Sequence, residues 1–381
     1  MRISLERAFL VIPRSKKGQL EEALKLAETA GYRVVRIWKS RYERRLGRGL
    51  IEEISLKAEE ENPDAIIVYG EPQPSTLFAL MKATRRRVID RVELILEIFV
   101  RHAGSREAKL QIEMARIKHE IPLIREMIRR SKMGELPGFL GPGGYAVDAY
   151  YRHLTSRLAK LRRELEGLRH LRSIRRSKRY REGMIHVSIV GYASAGKTTL
   201  FNRLTGLSKR VGPEYFTTLQ PKHYRVRLRG MDVVFIDTVG FIRDVPPTII
   251  EAFHSTLEEI SDSNAIIFVV DASKPQGEIV EELASGFEIM EQVGAVGIPT
   301  IVAANKIDLL DNESLRDKLA LLEGLASPRS EVACVLPISA YRGVNIDRLS
   351  DCVIEVAGHG GALEALREGL RATAGPQARE R

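Results

Sequence analysis

Eight residues, Gly191-Tyr192-Ala193-Ser194-Ala195-Gly196-Lys197-Thr198, have the G-x-x-x-x-G-K-[ST] spacing of a phosphate-binding loop. They follow an apolar run, His186-Val187-Ser188-Ile189-Val190, and open onto Thr199-Leu200-Phe201-Asn202-Arg203-Leu204. Buried strand, glycine-bounded loop and helix start are the context this chemistry needs. The glycines let successive backbone N–H groups turn inward around phosphate oxygens, and the helix N-terminus adds partial positive charge. Lys197 then reaches the β- and γ-phosphates and Thr198 ligates Mg²⁺. The expected cradle runs from Gly191 through Thr199.

Four further stretches stand where a guanine-nucleotide site needs them. Asp237-Thr238-Val239-Gly240 ends an apolar run; Asp237 can hold Mg²⁺ through water and the Gly240 N–H can meet a γ-phosphate. Upstream lies Tyr215-Phe216-Thr217-Thr218-Leu219, where Thr218 completes the metal shell only when a γ-phosphate is present. Phe216 and Thr217 belong to the same nucleotide-facing segment, and Lys197, Thr218 and Gly240 are the catalytic candidates. At Asn305-Lys306-Ile307-Asp308 a carboxylate can accept both guanine N1–H and N2–H₂, which adenine would leave unpaired. Asn305 joins it at the base, Lys306 covers the ring, and Ser339-Ala340 supplies a backbone N–H to guanine O6. One such motif alone would pass for an ordinary turn; five in this order point to a Mg²⁺-dependent GTPase.

The residue after Asp-Thr-Val-Gly is Phe241, not the glutamine that orients water in the small GTPases. A phenylalanine neither orients water nor stabilises negative charge. Intrinsic hydrolysis is therefore expected to be slow, with the missing groups supplied by the backbone, a shifted residue or a partner. There is no Cys/His metal cluster, nucleophile elbow or kinase motif. Cys334 and Cys352 read as reduced thiols in or near a core.

The elements that must carry these motifs are legible in the periodicity. From Ile185 the chain alternates strands (His223–Arg229, Asp232–Ile236, Ala265–Val270, Thr300–Ala304, Ala333–Pro337) with helices (Pro247–Ile260, Gly277–Val293, Glu313–Leu322, Ile346–Val356). Gly230-Met231 is the expected turn between the first two strands. That order fits a doubly wound α/β sheet with ligand at the carboxyl ends of its strands. Residues 7–90 alternate likewise, with strands at Ala8–Ile12, Arg33–Trp38, Ala65–Tyr69 and Arg87–Ile89, and helices at Lys17–Ala30, Gly49–Glu61 and Gln73–Thr84. This predicts a smaller parallel α/β unit. Arg44-Arg45-Leu46-Gly47-Arg48-Gly49 reads equally well as an anion-binding loop or a tight turn.

Between the two units, residues 90–130 read as one amphipathic helix or two broken near Gly104. A second helical stretch from Asp148 to about Tyr180 carries Leu154, Leu158, Leu161, Leu165, Leu168 and Leu171 at helical spacing. The glycine- and proline-rich segment 134–144 joins them into an antiparallel hairpin. The expected division is 1–88, 89–182, 183–357 and a flexible tail, 358–381.

Charge is divided unevenly: residues 1–183 carry a balance of +16 and residues 184–381 one of −6. Twelve Lys+Arg against two Glu fall between Arg152 and Arg181. On a protruding hairpin, RNA phosphate contact explains this better than a merely solvated face. No apolar run approaches a membrane span and no signal-peptide core follows Met1. A cytoplasmic monomer is expected.

The motifs Gly-Tyr-x-x-Ala-Gly-Lys-Thr and Asp237-Thr-Val-Gly-Phe-Ile242 resemble those of the HflX-type GTPases, a translation-factor-related class. So do Leu46-Gly-Arg-Gly-Leu-Ile-Glu-Glu53, Val88-Ile-Asp-Arg-Val-Glu-Leu-Ile-Leu-Glu-Ile-Phe99, Ser105-Arg-Glu-Ala-Lys-Leu-Gln111 and Gly141-Pro-Gly143. The likeness runs from about residue 7 to 357. It implies a Ras-like P-loop G domain preceded by a smaller parallel α/β subdomain and a long antiparallel helical hairpin. It further implies GTP/GDP and Mg²⁺ as bound species, and the large ribosomal subunit as partner. Ribosomal RNA would be met through hairpin 152–181 and loop 134–144, the loop directed toward the peptidyl-transferase region, in the service of ribosome splitting or rescue. Some members also hydrolyse ATP. Three departures stand out. Leu50 replaces the family's lysine after Gly-x-Gly. The segment Gly144 to Tyr151 lacks the acidic and Asp-Arg-Arg pattern of bacterial members. Ser194 replaces an asparagine that related GTPases use for K⁺. The competing reading is a regulatory switch whose hairpin signals to a protein effector.

Overall fold

The computed structural model describes residues 5–133, 144–180, 184–207, 222–242, 249 and 259–358. The chain divides into two compact units, the first running to residue 174 and the second taking most of the remainder. The expected loop 134–144 falls outside the described residues except Gly144. So do the tail beyond Gly358 and most of the expected helix Pro247–Ile260.

The first unit is built on a four-stranded sheet in the order β2-β1-β3-β4, parallel throughout. Its strands are β1 (Glu6–Pro13), β2 (Tyr32–Ser40), β3 (Ala65–Val68) and β4 (Arg87–Asp90). They alternate with α1 (Leu20–Thr29), α2 (Arg48–Glu61) and α3 (Pro74–Thr84). β1 and β3 are continuous apolar runs because helices cover both faces of a parallel sheet. α1 starts three residues later than the periodicity suggests: Arg14–Gln19 forms a 3₁₀ turn, and Gly18 within it weakens an α-helical start. Arg91, 1% exposed, lies over the Tyr69 ring at 5.2 Å and meets Glu22 at 3.1 Å. A buried cation is tolerated there because it is paired.

The long helical region is interrupted at Ala103–Ser105, as Gly104 suggests. It gives α4 (Arg91–His102) and α5 (Arg106–Lys132), and α6 follows at Gly144–Tyr180. Partners across α5 and α6 ascend on one helix and descend on the other: Arg106 with Glu164, Glu113 with Arg157 (2.7 Å), Glu120 with Tyr150 (2.9 Å). Only an antiparallel hairpin gives that register. Its seam joins Leu110, Met114, Ile117, Ile124 and Met127 of α5 to Leu154, Leu161 and Leu165 of α6, with Leu158 and Leu168 packed beside them.

The second unit holds a six-stranded sheet ordered β10-β9-β8-β5-β7-β6. Its strands are β5 (Ile185–Gly191), β6 (Lys222–Leu228), β7 (Met231–Asp237), β8 (Ala265–Asp271), β9 (Thr300–Asn305) and β10 (Val332–Pro337). All pairings are parallel except β6 against β7. That hairpin turns on Arg229-Gly230, both at positive φ, one residue earlier than the expected Gly230-Met231. Helices α7 (Lys197–Thr205), α8 (Gln276–Gln292), α9 (Asn312–Ala326) and α10 (Ile346–Gly358) complete it. Val187, Ile189, Phe201, Phe235, Ile267, Ile301 and Val353 lie in one core that locks α7 and α10 to the sheet.

A cleft of about 770 Å³ in the first unit is lined by Asp90, Arg116, His119 and Tyr150 among others. Asp90 caps α4 by accepting from the Glu93 N–H at 2.9 Å, and its second oxygen meets His119 Nε2 at 2.7 Å. Burial alone would push the His119 imidazole down. The hydrogen bond to Asp90 outweighs it, with the charges of Asp90, Glu93 and Glu71, and raises it above the ordinary 6.5. The folded protein therefore holds the proton more tightly than the unfolded chain. The stability this contributes is complete below pH 6.5 and is lost as pH rises through the raised folded value. Urea midpoints of the wild type should fall across that interval, and His119→Gln should flatten the slope.

Candidate functional site

The phosphate loop is shaped by two close approaches. Gly191 has φ 141°, and a Cβ there would stand 2.3 Å from the Val269 carbonyl oxygen on the neighbouring β8. Gly196, at φ 100°, would collide with Asn305 Nδ2 at 2.3 Å. Any other residue at either position must displace backbone or the base-side asparagine. Ser194 also takes a left-handed conformation, φ 64°, at a cost of about 1 kcal/mol for a residue with a Cβ. An asparagine tolerates that geometry better, so the departure at Ser194 has a backbone cost as well as a chemical one. Tyr192 and Ala195 are buried, and Ala193 and Thr199 half-buried, around the same turn.

Lys197, the first residue of α7, is 8% exposed, and its Nζ donates to the Tyr192 carbonyl at 2.6 Å. Burial depresses its ammonium to about 8, against the opposing pull of Asp237 and Glu282; Lys274 adds to the depression. A buried cation held at that value is poised for an anion, because a phosphate restores the charge environment that water supplied. Next to it, Thr198 Oγ1 donates to Asp237 Oδ2 at 3.4 Å, and Asp237 is fully buried. The adjoining Thr238 hydroxyl donates to the Ile189 carbonyl at 2.7 Å, fixing the strand end on β5. Gly240 comes so close that a Cβ would stand 2.9 Å from Lys197 Nζ. Thus Lys197, Thr198, Asp237 and Gly240 are brought together. Phe216, Thr217 and Thr218 lie outside the described residues.

Among the described residues no three His, Cys, Asp or Glu cluster as a ready-made metal cage. A cation at Thr198 and Asp237 would draw its remaining ligands from water and phosphate. Hard oxygen donors, one of them a carboxylate, suit Mg²⁺.

On the base side Asn305 uses both ends of its amide. Nδ2 donates to the Ala195 carbonyl in the phosphate loop at 2.8 Å, and Oδ1 accepts from the Ala340 N–H at 2.9 Å. Of the Ser339-Ala340 N–H groups expected to serve guanine O6, that of Ala340 is thus engaged with Asn305 and that of Ser339 with the Val344 carbonyl at 3.2 Å. The Ser339 hydroxyl donates to Asp308 Oδ1 at 2.5 Å and orients that carboxylate. Lys306, at φ 67°, pairs with Asp271 Oδ2 at 2.6 Å. Two contributors escape sequence reasoning. Asp271 ends β8 one residue beyond the expected strand and tethers Lys306. Arg203 of α7 donates to the carbonyls of Ala340 (3.3 Å) and Tyr341 (2.6 Å), tying the phosphate-loop helix to the base loop. The polar end of an apolar strand was the available signal for Asp271; Arg203 had none.

Phe241 is 4% exposed and packs edge-on against Tyr192 (6.0 Å between centroids) and Phe268 (6.3 Å). Its backbone pairs with the phosphate loop: its N–H donates to Gly191 O at 2.9 Å, and its carbonyl accepts from the Ala193 N–H at 2.8 Å. The side chain at the position of the missing glutamine thus points into the core. Phe241→Gln should leave intrinsic GTP turnover at its wild-type level while lowering stability by about 3 kcal/mol, from lost packing and a buried amide. Turnover assays beside thermal melts check both, and faster hydrolysis in the variant would contradict this placement.

Residues 186–306 match the family model described as 50S ribosome-binding GTPase. Residues 17–100 and 102–179 match the N-terminal and middle regions described for GTP-binding GTPases. A GTPase HflX from Hyperthermus butylicus is 52% identical over 353 residues, 90% of this chain and 93% of that protein. The GTPase HflX of Thermofilum pendens is 39% identical, covering 93% of this chain and 85% of its own. Among solved structures, a GTP-binding protein of Sulfolobus solfataricus in complex with GDP aligns with TM-score 0.53 and 31% identity, over 93% of this chain and 99% of that one. On these relatives and family models, which span nearly the whole chain, the chain belongs to the HflX family of GTPases.

Proposed function

We propose that this GTPase binds the large ribosomal subunit and couples GTP binding and hydrolysis to ribosome splitting or rescue. The observation that carries the reading is the outer face of α6. Arg152, Lys160, Arg162 and Arg163 are exposed on the helix whose other side buries Leu154, Leu161 and Leu165. Such a stripe suits a phosphate backbone. It is supported by a second basic edge on the first unit, where Arg14, Lys17, Arg41, Arg44, Arg45 and Arg48 are exposed beyond the carboxyl ends of β1 and β2. The family model over residues 186–306 is itself described as ribosome-binding.

In this reading residues 1–88 and the hairpin 89–182 engage ribosomal RNA, 183–357 is the G domain, and 358–381 is a tail. Lys197 neutralises the β- and γ-phosphates. Thr198, Thr218 and Asp237, the last through water, hold the Mg²⁺, which supplies charge neutralisation at the phosphates. The Gly240 N–H reports the γ-phosphate. Asp308, oriented by Ser339, selects guanine, and Lys306, tethered by Asp271, covers the base. Because Phe241 is committed to the core, the group that orients water comes from the backbone, a shifted residue or the ribosome.

Co-sedimentation with separated subunits should show large-subunit binding that needs a non-hydrolysable GTP analogue, with turnover accelerated by the subunit. Replacing Lys160, Arg162 and Arg163 by Glu should weaken binding and reduce the log–log salt slope by roughly 2–3, one unit for each lost phosphate contact, with basal turnover unchanged. Absence of binding and of stimulation would instead favour the protein-effector switch. Asp308→Asn should shift preference from GTP toward the xanthine nucleotide by at least about a hundredfold. Equal loss of both nucleotides would count against the role given to Asp308.

A further inference from the structure

The two cysteines of this chain are expected as reduced thiols in or near a core, and the structure places them together. Cys334 lies on the edge strand β10 and Cys352 on α10, each half-buried against the core beneath the sheet. Their sulfurs are 2.8 Å apart across 18 positions of sequence. That is well inside the contact distance of two non-bonded sulfur atoms. No metal cluster accompanies them among the described residues. We propose that Cys334 and Cys352 form a disulfide that clamps the base loop of the nucleotide site.

What the clamp would enclose gives it a consequence beyond stapling a strand to a helix. Between the two cysteines run Ser339, which orients Asp308, and Ala340, whose N–H is held by Asn305. The same span contains Gly343, at φ 80°, and Asn345, at φ 59°, whose Nδ2 donates to the Pro337 carbonyl at 2.8 Å. These are the turns that let the loop double back before α10. Without a covalent tie its position depends on non-covalent contacts: these hydrogen bonds, those of Ser339 with Gly343 and Val344, the burial of Ile338 and Ala340, and Arg203. With one, its ends are held at β10 and α10, and the loop loses freedom mainly in its displaced states.

The chemistry is ordinary exchange. The hydrogen bond between the two sulfurs lowers the Cys352 thiol, although burial opposes this, and with burial raises Cys334, which favours Cys352 as the first to attack. Cys352 Sγ attacks a disulfide of the oxidised-glutathione class, forming a mixed disulfide and releasing one thiolate. Cys334, losing its proton as it attacks, displaces the second. One protein S–S bond forms, the oxidant's S–S bond becomes two thiols, and the two thiol protons pass to the leaving groups. Disulfides of this kind inside cells belong to redox-sensing proteins and to proteins of hyperthermophiles.

The full chain would be equilibrated with oxidised or reduced glutathione, quenched in acid, alkylated under denaturing conditions and weighed intact. After oxidation the expected product has lost two hydrogens, takes up no alkylating reagent and yields a cross-linked peptide joining the two cysteines. Cys334→Ser and Cys352→Ser should each give a glutathione adduct instead. Oxidation should raise Tm by roughly 5–10 °C and slow release of a fluorescent GDP by roughly threefold, what a loop competent a third of the time would otherwise lose. Neither change should occur in the double Ser variant. Two alkylated thiols after equilibration with the oxidant would overturn the bond. A bond that forms without changing GDP release would overturn the clamp.

Discussion

One carboxamide holds the two halves of the nucleotide site in register. Asn305 gives its N–H to the carbonyl of Ala195 and takes the N–H of Ala340, so the phosphate loop and the base loop are fixed by the two ends of a single side chain. Both atoms are buried, where an unmet partner costs about 1–3 kcal/mol. The phosphate loop, β9 and the base loop therefore keep their register as a set. The constraint reaches into the backbone. Gly196 must lack a side chain because Asn305 Nδ2 occupies the space, and Gly191 because the Val269 carbonyl does. The spacing of the glycines follows from what passes beside them as much as from the phosphates they are built to meet.

The same economy governs charge. Lys197 sits fully inside the site with a lowered ammonium, and its nearest compensation is a backbone carbonyl and the charge of Asp237. Lys306 is held by Asp271 and Lys274 by Glu282, each a cation paired before any ligand arrives. Among these lysines it is Lys197 whose environment leaves most to gain from a phosphate. With Lys197 at the phosphates, as proposed, binding energy would be focused on the β/γ end of the nucleotide, where the two states of a GTPase differ.

Much of this was legible because it is periodic or locally encoded. Apolar runs such as Ala265–Val270 and alternations such as β6 mark strands, and the glycine–lysine–threonine ending marks the loop that follows β5. The break between α4 and α5 is announced by Gly104, and the hairpin by leucines at helical spacing. What stayed hidden depends on residues distant in sequence that only the fold brings together. Arg203 looks like any helix-surface arginine until α7 lies against the base loop. Cys334 and Cys352 look unrelated until β10 and α10 pack. Ala340 looks like a free N–H donor until Asn305 is beside it. The turn at Arg229-Gly230 slipped by one residue for a subtler reason: Arg229 adopts a positive φ that its residue type does not advertise.

Phe241 joins the end of β7 to the core. Two backbone hydrogen bonds pair it with Gly191 and Ala193, and its ring begins an aromatic series through Phe268 to Phe287, over which Arg329 lies at 4.1 Å. A γ-phosphate that draws the Gly240 N–H toward itself must either carry this ladder along or strain it. In a small GTPase the residue after the glycine is free to swing toward water; here it is the anchor. Its ring contacts run from the end of β7 into β8 and α8. Such an anchor suits the proposed function, in which hydrolysis waits for a partner that supplies what Phe241 does not.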